Sequence, residues 1–208
     1  MDPVTAFVLA GGKSSRMGQD KAFLQLGGKT LLTRALETAA AVGKTHVVGS
    51  SVKFADYGSA VEDLHLGHGP LGGIHAALSK TSTDLNLMLA VDLPFVEARF
   101  LRYLVSRARE TRATVVLPRT SDGLQPLCAT YRRSFMDTAE QSLRAGRNKI
   151  NALFTGVPIE VIEPEELEGN GFAKEMFRNL NTPGDWEDAR QRTLAEGQKT
   201  DGRTSIKT

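Results

Sequence analysis

A short apolar run that ends in glycines near the start of the chain limits the fold more than any other feature. Residues 5–9 read TAFVL, and Ala10, Gly11 and Gly12 follow directly. A continuous apolar run of this length, bounded by glycines, is typical of a strand buried on both faces of a parallel sheet. The sequence therefore predicts a buried parallel strand whose carboxyl end runs into a flexible bend.

Strand and helix patterns alternate over the first two thirds of the chain. The predicted elements are a helix at 30–42, strands around 47–48 and 60–62, a helix from 70 to about 80, a strand at 86–91, a helix near 97–110 and a strand at 113–117. This alternation predicts an α/β fold with a Rossmann-like, doubly wound and mostly parallel sheet that carries helices on both faces. Ligands of such sheets bind at the carboxyl ends of the strands.

The last third of the chain reads less regularly. We predict strands at 124–131 and 157–162, and helices at 133–145 and from 183 to about 196. Residues 1–196 are expected to form a single domain, because a chain of 208 residues with 40% hydrophobic content can bury one core. Residues 197–208 offer almost nothing to bury and are expected to form a disordered tail.

Composition limits the classes of partner. The 26 basic and 24 acidic residues nearly cancel, so the cationic surplus that binds long nucleic acids is absent. No apolar run approaches the roughly 20 residues that cross a bilayer, and no charged-then-apolar leader is visible. Cys128 is the single cysteine, which excludes an internal disulfide and leaves no zinc-ligand spacing. We therefore expect a cytoplasmic protein that binds neither nucleic acid nor membranes.

The segment 10–21, AGGKSSRMGQDK, combines backbone freedom, hydroxyl groups and cations. Glycines let backbone N–H groups approach an anion, while Arg16 offers a bidentate guanidinium and Lys21 a mobile point charge. The segment predicts a phosphate-binding loop, with a glycine turn and solvated charges as the alternative. It is not a P-loop, whose first glycine would fall at Phe7, and it lacks the dinucleotide fingerprint G-x-G-x-x-G.

Asp92 stands immediately after the apolar strand at 86–91. Mg²⁺ keeps several waters and needs only one or two protein oxygens beside phosphates, so a lone carboxylate at a strand end can suffice. The alternative for an Asp-x-Pro sequence is a turn or a helix N-cap. The position beyond a buried strand, together with the predicted phosphate loop, favours metal binding by Asp92.

Several segments together resemble one known family. They are 9–12 (LAGG) with 15–18 (SRMG) and 20–21 (DK), 69–74 (GPLGGI), 91–95 (VDLPF), 125–127 (QPL) and 179–183 (NLNTP). The chain resembles the molybdenum cofactor guanylyltransferases, the MobA family, over nearly its whole length before the tail. The resemblance implies a fold like that of nucleotide-diphospho-sugar transferases. It also implies Mg²⁺-dependent transfer of GMP from GTP to molybdenum-bound molybdopterin, giving molybdopterin guanine dinucleotide and pyrophosphate, and protein partners in cofactor delivery.

The resemblance further implies a set of site residues. Arg16, Lys21 and Asp92 are expected to be catalytic, with Asp92 also holding the metal. The residues expected to contact the nucleotide and metal are Leu9, Ala10, Gly11, Gly12, Lys21, Gly69, Pro70, Asp92 and Asn181. Two roles stay open for Asn181, because it could also cap the helix that begins at Pro183.

One position departs from the family pattern. The family often carries an aspartate a few residues before Gly-Pro-Leu to contact guanosine, but residues 64–68 read LHLGH and Asp63 is the nearest carboxylate. The residue that reads guanine is therefore unassigned, and His68 is a candidate ribose contact. Cytidylyl transfer to the same cofactor, nucleotidyl transfer to a sugar or alcohol phosphate, and a non-catalytic nucleotide-binding regulator remain alternatives.

The acceptor side is less defined. Basic residues of the second half lie where the family holds the pterin phosphate, although most are expected to be solvated charges: Arg119, Arg144, Arg147 and Lys149. Gln125 and the pair Asp122-Gly123 are candidate pterin contacts, with a hairpin turn as the alternative for Asp-Gly.

Overall fold

In the computed structural model, which describes residues 2–11, 20–62 and 67–204 with side chains described through residue 193, apolar runs of the sequence form strands of a large mixed sheet, and two short strands pair in a separate small sheet. The strands are β1 (Val4–Leu9), β2 (Gln25–Leu26), β3 (Lys29–Thr30), β4 (Lys44–Val48), β5 (Ala60–Val61), β6 (Leu85–Ala90), β7 (Val115–Thr120), β8 (Gly123–Leu124), β9 (Cys128–Arg132) and β10 (Ile159–Ile162). The α-helices are α1 (Leu31–Ala39), α2 (Pro70–Lys80), α3 (Ala98–Glu110), α4 (Phe135–Arg144), α5 (Pro164–Gly169) and α6 (Pro183–Thr204). Short 3₁₀ helices lie at Lys21–Phe23, Ala55–Tyr57, Ile150–Thr155 and Lys174–Phe177.

The large sheet has the strand order β10-β7-β9-β6-β1-β4-β5, with β8 paired to β7. β1 pairs in parallel with β4 on one side and with β6 on the other. Within the described part of the chain, β8 and β9 are the strands that run antiparallel to their partners in this sheet. The predicted mostly parallel α/β sheet is therefore confirmed, and the carboxyl ends of β1, β4 and β6 lie side by side.

Alternate residues of β1 face two separate cores. Ala6 and Val8 pack in the core that includes α1 and α3, whereas Phe7 packs in the core that includes α2 and α4. This alternation is the period of two expected of a strand with helices on both faces. Full burial of one side chain of the size of Phe7 contributes about 1.5–3 kcal/mol, so the two cores fix β1 firmly at the centre of the sheet.

The strand predicted at 124–131 is wrong in extent. β8 ends at Leu124, β9 begins at Cys128, and the chain turns between them. Pro126 has no N–H for a sheet ladder, and the N–H of Gln125 instead donates to the Pro118 carbonyl at 2.9 Å. The antiparallel β9 follows from this turn.

Three further features differ from the prediction. The β2–β3 hairpin and α5 are too short to give a clear periodic pattern. α6 extends to Thr204, past the predicted end near residue 196 and into the segment predicted to be a tail. Among the helices of the described residues, none has the length and apolar content of a membrane span.

Gly43, between α1 and β4, tests the contact of β1 with β4. A Cβ atom added there would overlap the carbonyl oxygen of Val4 and lie 2.9 Å from its carbonyl carbon. Gly43→Ala must push the two strands apart, and we expect a loss of about 2 kcal/mol in the free energy of unfolding, measured by urea denaturation. Gly169→Ala is the control, because its added Cβ meets no heavy atom within 4 Å. Equal stability of the Gly43→Ala variant and the wild type would contradict this packing.

Candidate nucleotide-binding site

A cavity of about 200 Å³ opens at the carboxyl ends of β1, β4 and β6. The start of α2 and the Lys21–Phe23 helix complete its walls. Its lining residues are Leu9, Ala10, Gly11, Asp20, Lys21, Val48, Gly49, Gly69, Pro70, Gly73, Ala90, Val91, Asp92 and Leu127. This edge of a doubly wound sheet is where the fold is expected to bind ligands.

Most of the predicted site residues meet at this cavity. Those that line it are Leu9, Ala10, Gly11, Lys21, Gly69, Pro70 and Asp92. Asn181 contacts Lys21 rather than the cavity wall. Gly12 and Arg16 lie outside the described residues, as does Asp63, so the structure gives no position for these three.

Backbone hydrogen bonds between strand ends hold the cavity floor. The Ala10 N–H donates to the Val48 carbonyl at 3.0 Å, and the Val91 N–H donates to the Leu9 carbonyl at 3.1 Å. The chain leaving β1 is therefore tied to both neighbouring strands just before it reaches Gly11. These bonds fix where the glycine-rich segment begins.

The start of α2 is set by a glycine and a proline. Gly69 has φ 64°, in the left-handed region that glycine adopts without strain, and Pro70 occupies the first turn, where its missing N–H costs nothing. Gly73 faces β1 and β4 so closely that a Cβ there would lie 3.5 Å from Val48 and 3.6 Å from Leu9. The helix N-terminus therefore sits close to the strand ends and forms one wall of the cavity.

Lys21, Asp92 and Asn181 form a polar cluster at one side of the cavity. The Lys21 Nζ atom lies 3.3 Å from Asp92 Oδ2 and donates to Asn181 Oδ1 at 2.6 Å. The Lys21 and Asp92 side chains are 18% and 22% exposed, so both are shielded yet reachable from the cavity. The Leu180 N–H donates to the Asp92 carbonyl at 3.1 Å, which ties the late segment to the end of β6.

The geometry separates the two roles left open for Asn181. Thr182 caps α6, because its Oγ1 accepts from the Asp185 N–H at 3.1 Å, and Asp185 Oδ2 accepts in return from the N–H groups of Thr182 and Asn181. The Thr182 hydroxyl and these backbone N–H groups hold the pKa of Asp185 below its usual value. Only the backbone of Asn181 takes part in the cap, and its side chain contacts Lys21.

The predicted acceptor residues divide into two groups. Arg119 pairs with Glu163 at 2.9 Å and Arg144 with Glu140 at 2.6 Å. Arg147 and Lys149, by contrast, are exposed and lie on either side of Asn148 in the sequence. Asn148 contacts the loop just before α2, because its Oδ1 atom lies 2.9 Å from His68 Nδ1.

The candidate pterin contacts lie in the β7–β8 hairpin. Ser121 and Asp122 form its turn, and Gly123, with φ 106°, is the first residue of β8, so the Asp-Gly pair lies in a hairpin, as the alternative held. The Gln125 amide donates to Thr120 Oγ1 at 2.9 Å and to the Gly123 carbonyl at 3.3 Å. Gln125 therefore stabilises the hairpin through these two hydrogen bonds.

Sequence reasoning missed several cavity residues. β4 ends at Val48 and Gly49 follows it, which is the same apolar-then-glycine pattern that identified Leu9 to Gly11, so this signal was available in the sequence. Leu127 reaches the cavity through a turn after Pro126, and no periodic pattern marks it.

Comparison with known proteins agrees with the family resemblance seen in the sequence. A sequence profile described as "MobA-like NTP transferase domain" matches residues 6–159. A protein of Pelotomaculum thermopropionicum named "Probable molybdenum cofactor guanylyltransferase" is 33% identical over 94% of this chain and 95% of its own length. The "Molybdenum cofactor guanylyltransferase" of Desulfosudis oleivorans is 32% identical over 91% of this chain and 95% of its own.

Solved structures extend the comparison to the fold. Molybdopterin-guanine dinucleotide biosynthesis protein A from Archaeoglobus fulgidus superposes with a TM-score of 0.81 at 28% identity, over 92% of this chain and 99% of that one. The 2-C-methyl-D-erythritol 4-phosphate cytidylyltransferase from Thermus thermophilus has a TM-score of 0.66 at 17% identity, over 93% of this chain and 100% of that one. The second likeness concerns the fold alone, which is that of the nucleotide-diphospho-sugar transferases. The profile match and the full-length relatives show that this chain belongs to the MobA-like NTP transferase family.

Proposed function

We propose that this protein is a magnesium-dependent guanylyltransferase. It transfers GMP from GTP to molybdenum-bound molybdopterin, giving molybdopterin guanine dinucleotide and pyrophosphate. The observation that carries the proposal is the cluster of Lys21, Asp92 and Asn181 at a cavity on the strand ends, in a chain related over 94% of its length to a protein named for this activity. The substrate GTP suits the cytoplasm, as does a single buried cysteine.

The cavity suits a nucleoside triphosphate. Its floor is backbone and small residues at Gly11, Gly49 and Gly73, which let a flat base or ribose approach closely. The Lys21 ammonium lies on its wall and can neutralise phosphate charge. We propose that the base and ribose lie towards Gly69 and the triphosphate towards Lys21.

The donor atoms at the end of β6 fit Mg²⁺. Asp92 offers a carboxylate oxygen and Asn181 an amide oxygen, and both atoms contact the Lys21 ammonium group. Two hard oxygen donors of the kind that Mg²⁺ prefers therefore lie close together. We propose that Asp92 holds the ion, with Asn181 beside it. When bound, Mg²⁺ supplies positive charge to phosphate oxygens during transfer.

The reaction needs positioned charge rather than a general base. An oxygen of the acceptor phosphate, already anionic near neutral pH, attacks the α-phosphorus of GTP, and the bond to the bridging oxygen breaks to release pyrophosphate. Lys21 and Arg16 offset the negative charge that builds on the α-phosphate and the leaving group. Burial raises the pKa of the Cys128 thiol, so this residue stays protonated and does not act as a nucleophile.

Arg147 and Lys149 are the better supported acceptor contacts. The hydrogen bond between His68 and Asn148 places their segment beside the loop that leads into α2, whereas Arg119 and Arg144 already pair with glutamates. We propose that the anionic groups of the acceptor meet Arg147 and Lys149. The proposed activity also calls for protein partners that deliver molybdopterin or take up the product.

Asp92→Asn tests the metal site. The amide keeps the size of the side chain but binds Mg²⁺ far less well, so we expect turnover to fall at least about 100-fold with little change in melting temperature. The matched control is Asp137→Asn on the exposed side of α4, which should keep wild-type turnover. Wild-type turnover of Asp92→Asn in saturating Mg²⁺ would remove Asp92 from the site.

Pyrophosphate release with each nucleotide tests the reaction and its base. We expect release with GTP only when molybdenum-bound molybdopterin is present. ATP should be slower by at least about tenfold, because its amino group would leave buried polar groups unpaired at about 1–3 kcal/mol each. CTP should also be slow, since it loses stacking area. Equal rates with GTP and CTP would contradict the guanine assignment, and no release with any nucleotide would contradict nucleotidyl transfer.

A further inference from the structure

The Lys21–Phe23 helix carries the central cation of the site on only three residues. A helix this short has little stability of its own, so contacts with the rest of the protein must set its direction. Asp20 caps it, because its Oδ1 accepts from the Ala22 N–H at 3.0 Å, and Ala22 is fully buried. The position of Lys21 therefore depends on what holds Asp20.

Lys53 contacts this helix at both ends. Its ammonium forms an ion pair with Asp20 Oδ2, and it lies 5.6 Å from the ring centre of Phe23, the last residue of the helix. The same ammonium lies 4.8 Å from the ring centre of Phe54. The Lys53 and Asp20 side chains are 31% and 28% exposed, so the pair is shielded more than a surface ion pair.

Phe54 anchors this contact to the cavity wall. It is 1% exposed, and a Cβ added to Gly49 would lie 2.6 Å from its ring. Gly49 also faces the other end of the glycine-rich segment, since a Cβ on Gly11 would lie 3.7 Å from its Cα. The stretch 49–54 thus supports both described ends of that segment.

We propose that Lys53 is a positioning residue for GMP transfer. It fixes Asp20 and the Lys21–Phe23 helix so that the Lys21 ammonium stays at Asp92 and Asn181. Lys53 acts through Asp20 and not through the nucleotide, because the Asp20 carboxylate already pairs with its charge. This role rests on the proposed function, while the contact itself can be tested without it.

A double-mutant cycle separates the two ways in which Lys53 could act. Lys53→Met keeps the apolar stem and removes the charge, and Asp20→Asn keeps a side-chain cap and removes the ion pair. We expect each to lower kcat about tenfold, within the ~100-fold that a 1 Å misplacement can cost, with little change in KM for GTP. The double variant should be no slower than either single variant, because both remove one interaction. Lys53→Arg should restore most of kcat.

Lys29→Met is the matched control. Lys29 also forms an ion pair, with Glu37 at 2.7 Å, but both side chains are about half exposed and lie away from the cavity lining. We expect wild-type kcat for this variant. Additive losses in the cycle, or a rise in KM for GTP confined to Lys53→Met, would mean that Lys53 contacts phosphate directly and would overturn the proposal.

Amide hydrogen exchange at Ala22 provides a readout that needs no turnover. Its N–H donates to Asp20, so we expect exchange at least about tenfold faster in Lys53→Met and near the wild-type rate in Lys53→Arg and Lys29→Met. Unchanged exchange at Ala22 in Lys53→Met overturns the proposal, whatever the activity. A wild-type protein that transfers no GMP would instead overturn the proposed function and leave the exchange result as the test of this contact.

Discussion

Parallel pairing of β1 with both β4 and β6 is the constraint on which the rest of the structure depends. It places Leu9 opposite Val48 on one side and opposite Ala90 on the other. The three chains that leave these strands must therefore begin at one edge of the sheet, and the α2 N-terminus packs against the same edge. A cavity with backbone on its floor and charge on its walls follows from this arrangement, because parallel strands present only their carboxyl ends there.

The charged side chains of the site are already held in position by hydrogen bonds and ion pairs within the protein. Lys21 is fixed by Asn181 at 2.6 Å and by Asp92 at 3.3 Å, and Asp92 is joined through its backbone to the segment before α6. Charge that is already oriented costs little reorganisation as the reaction proceeds. The Thr182 and Asp185 cap supports this indirectly, since it fixes the backbone of Asn181 and leaves its side chain to Lys21.

The sequence predicted those parts of the molecule whose signal is local. β1, α2 and β6 are continuous apolar or glycine-bounded runs, and the structure places all three close to where the pattern put them. The break at Pro126 was missed because apolar residues on both sides read as one strand. Lys21 and Asn181 lie 160 residues apart, and only the family resemblance brought them together. The contact of Lys53 with Asp20 had no such signal, since periodicity reports burial and not which loops meet.

The central claim is that the strand-end cavity holds the triphosphate beside Lys21, with the metal on Asp92. A crystal structure with a GTP analogue that resists cleavage at the α-phosphate, grown with Mn²⁺ in place of Mg²⁺, tests it most directly, because anomalous scattering locates the ion independently of the nucleotide. The account predicts an anomalous peak bound to the Asp92 carboxylate and triphosphate density against Lys21, with the base and ribose towards Gly69. Nucleotide bound instead in the groove lined by Arg34, Phe95 and Arg192, or an ion away from Asp92, would contradict it.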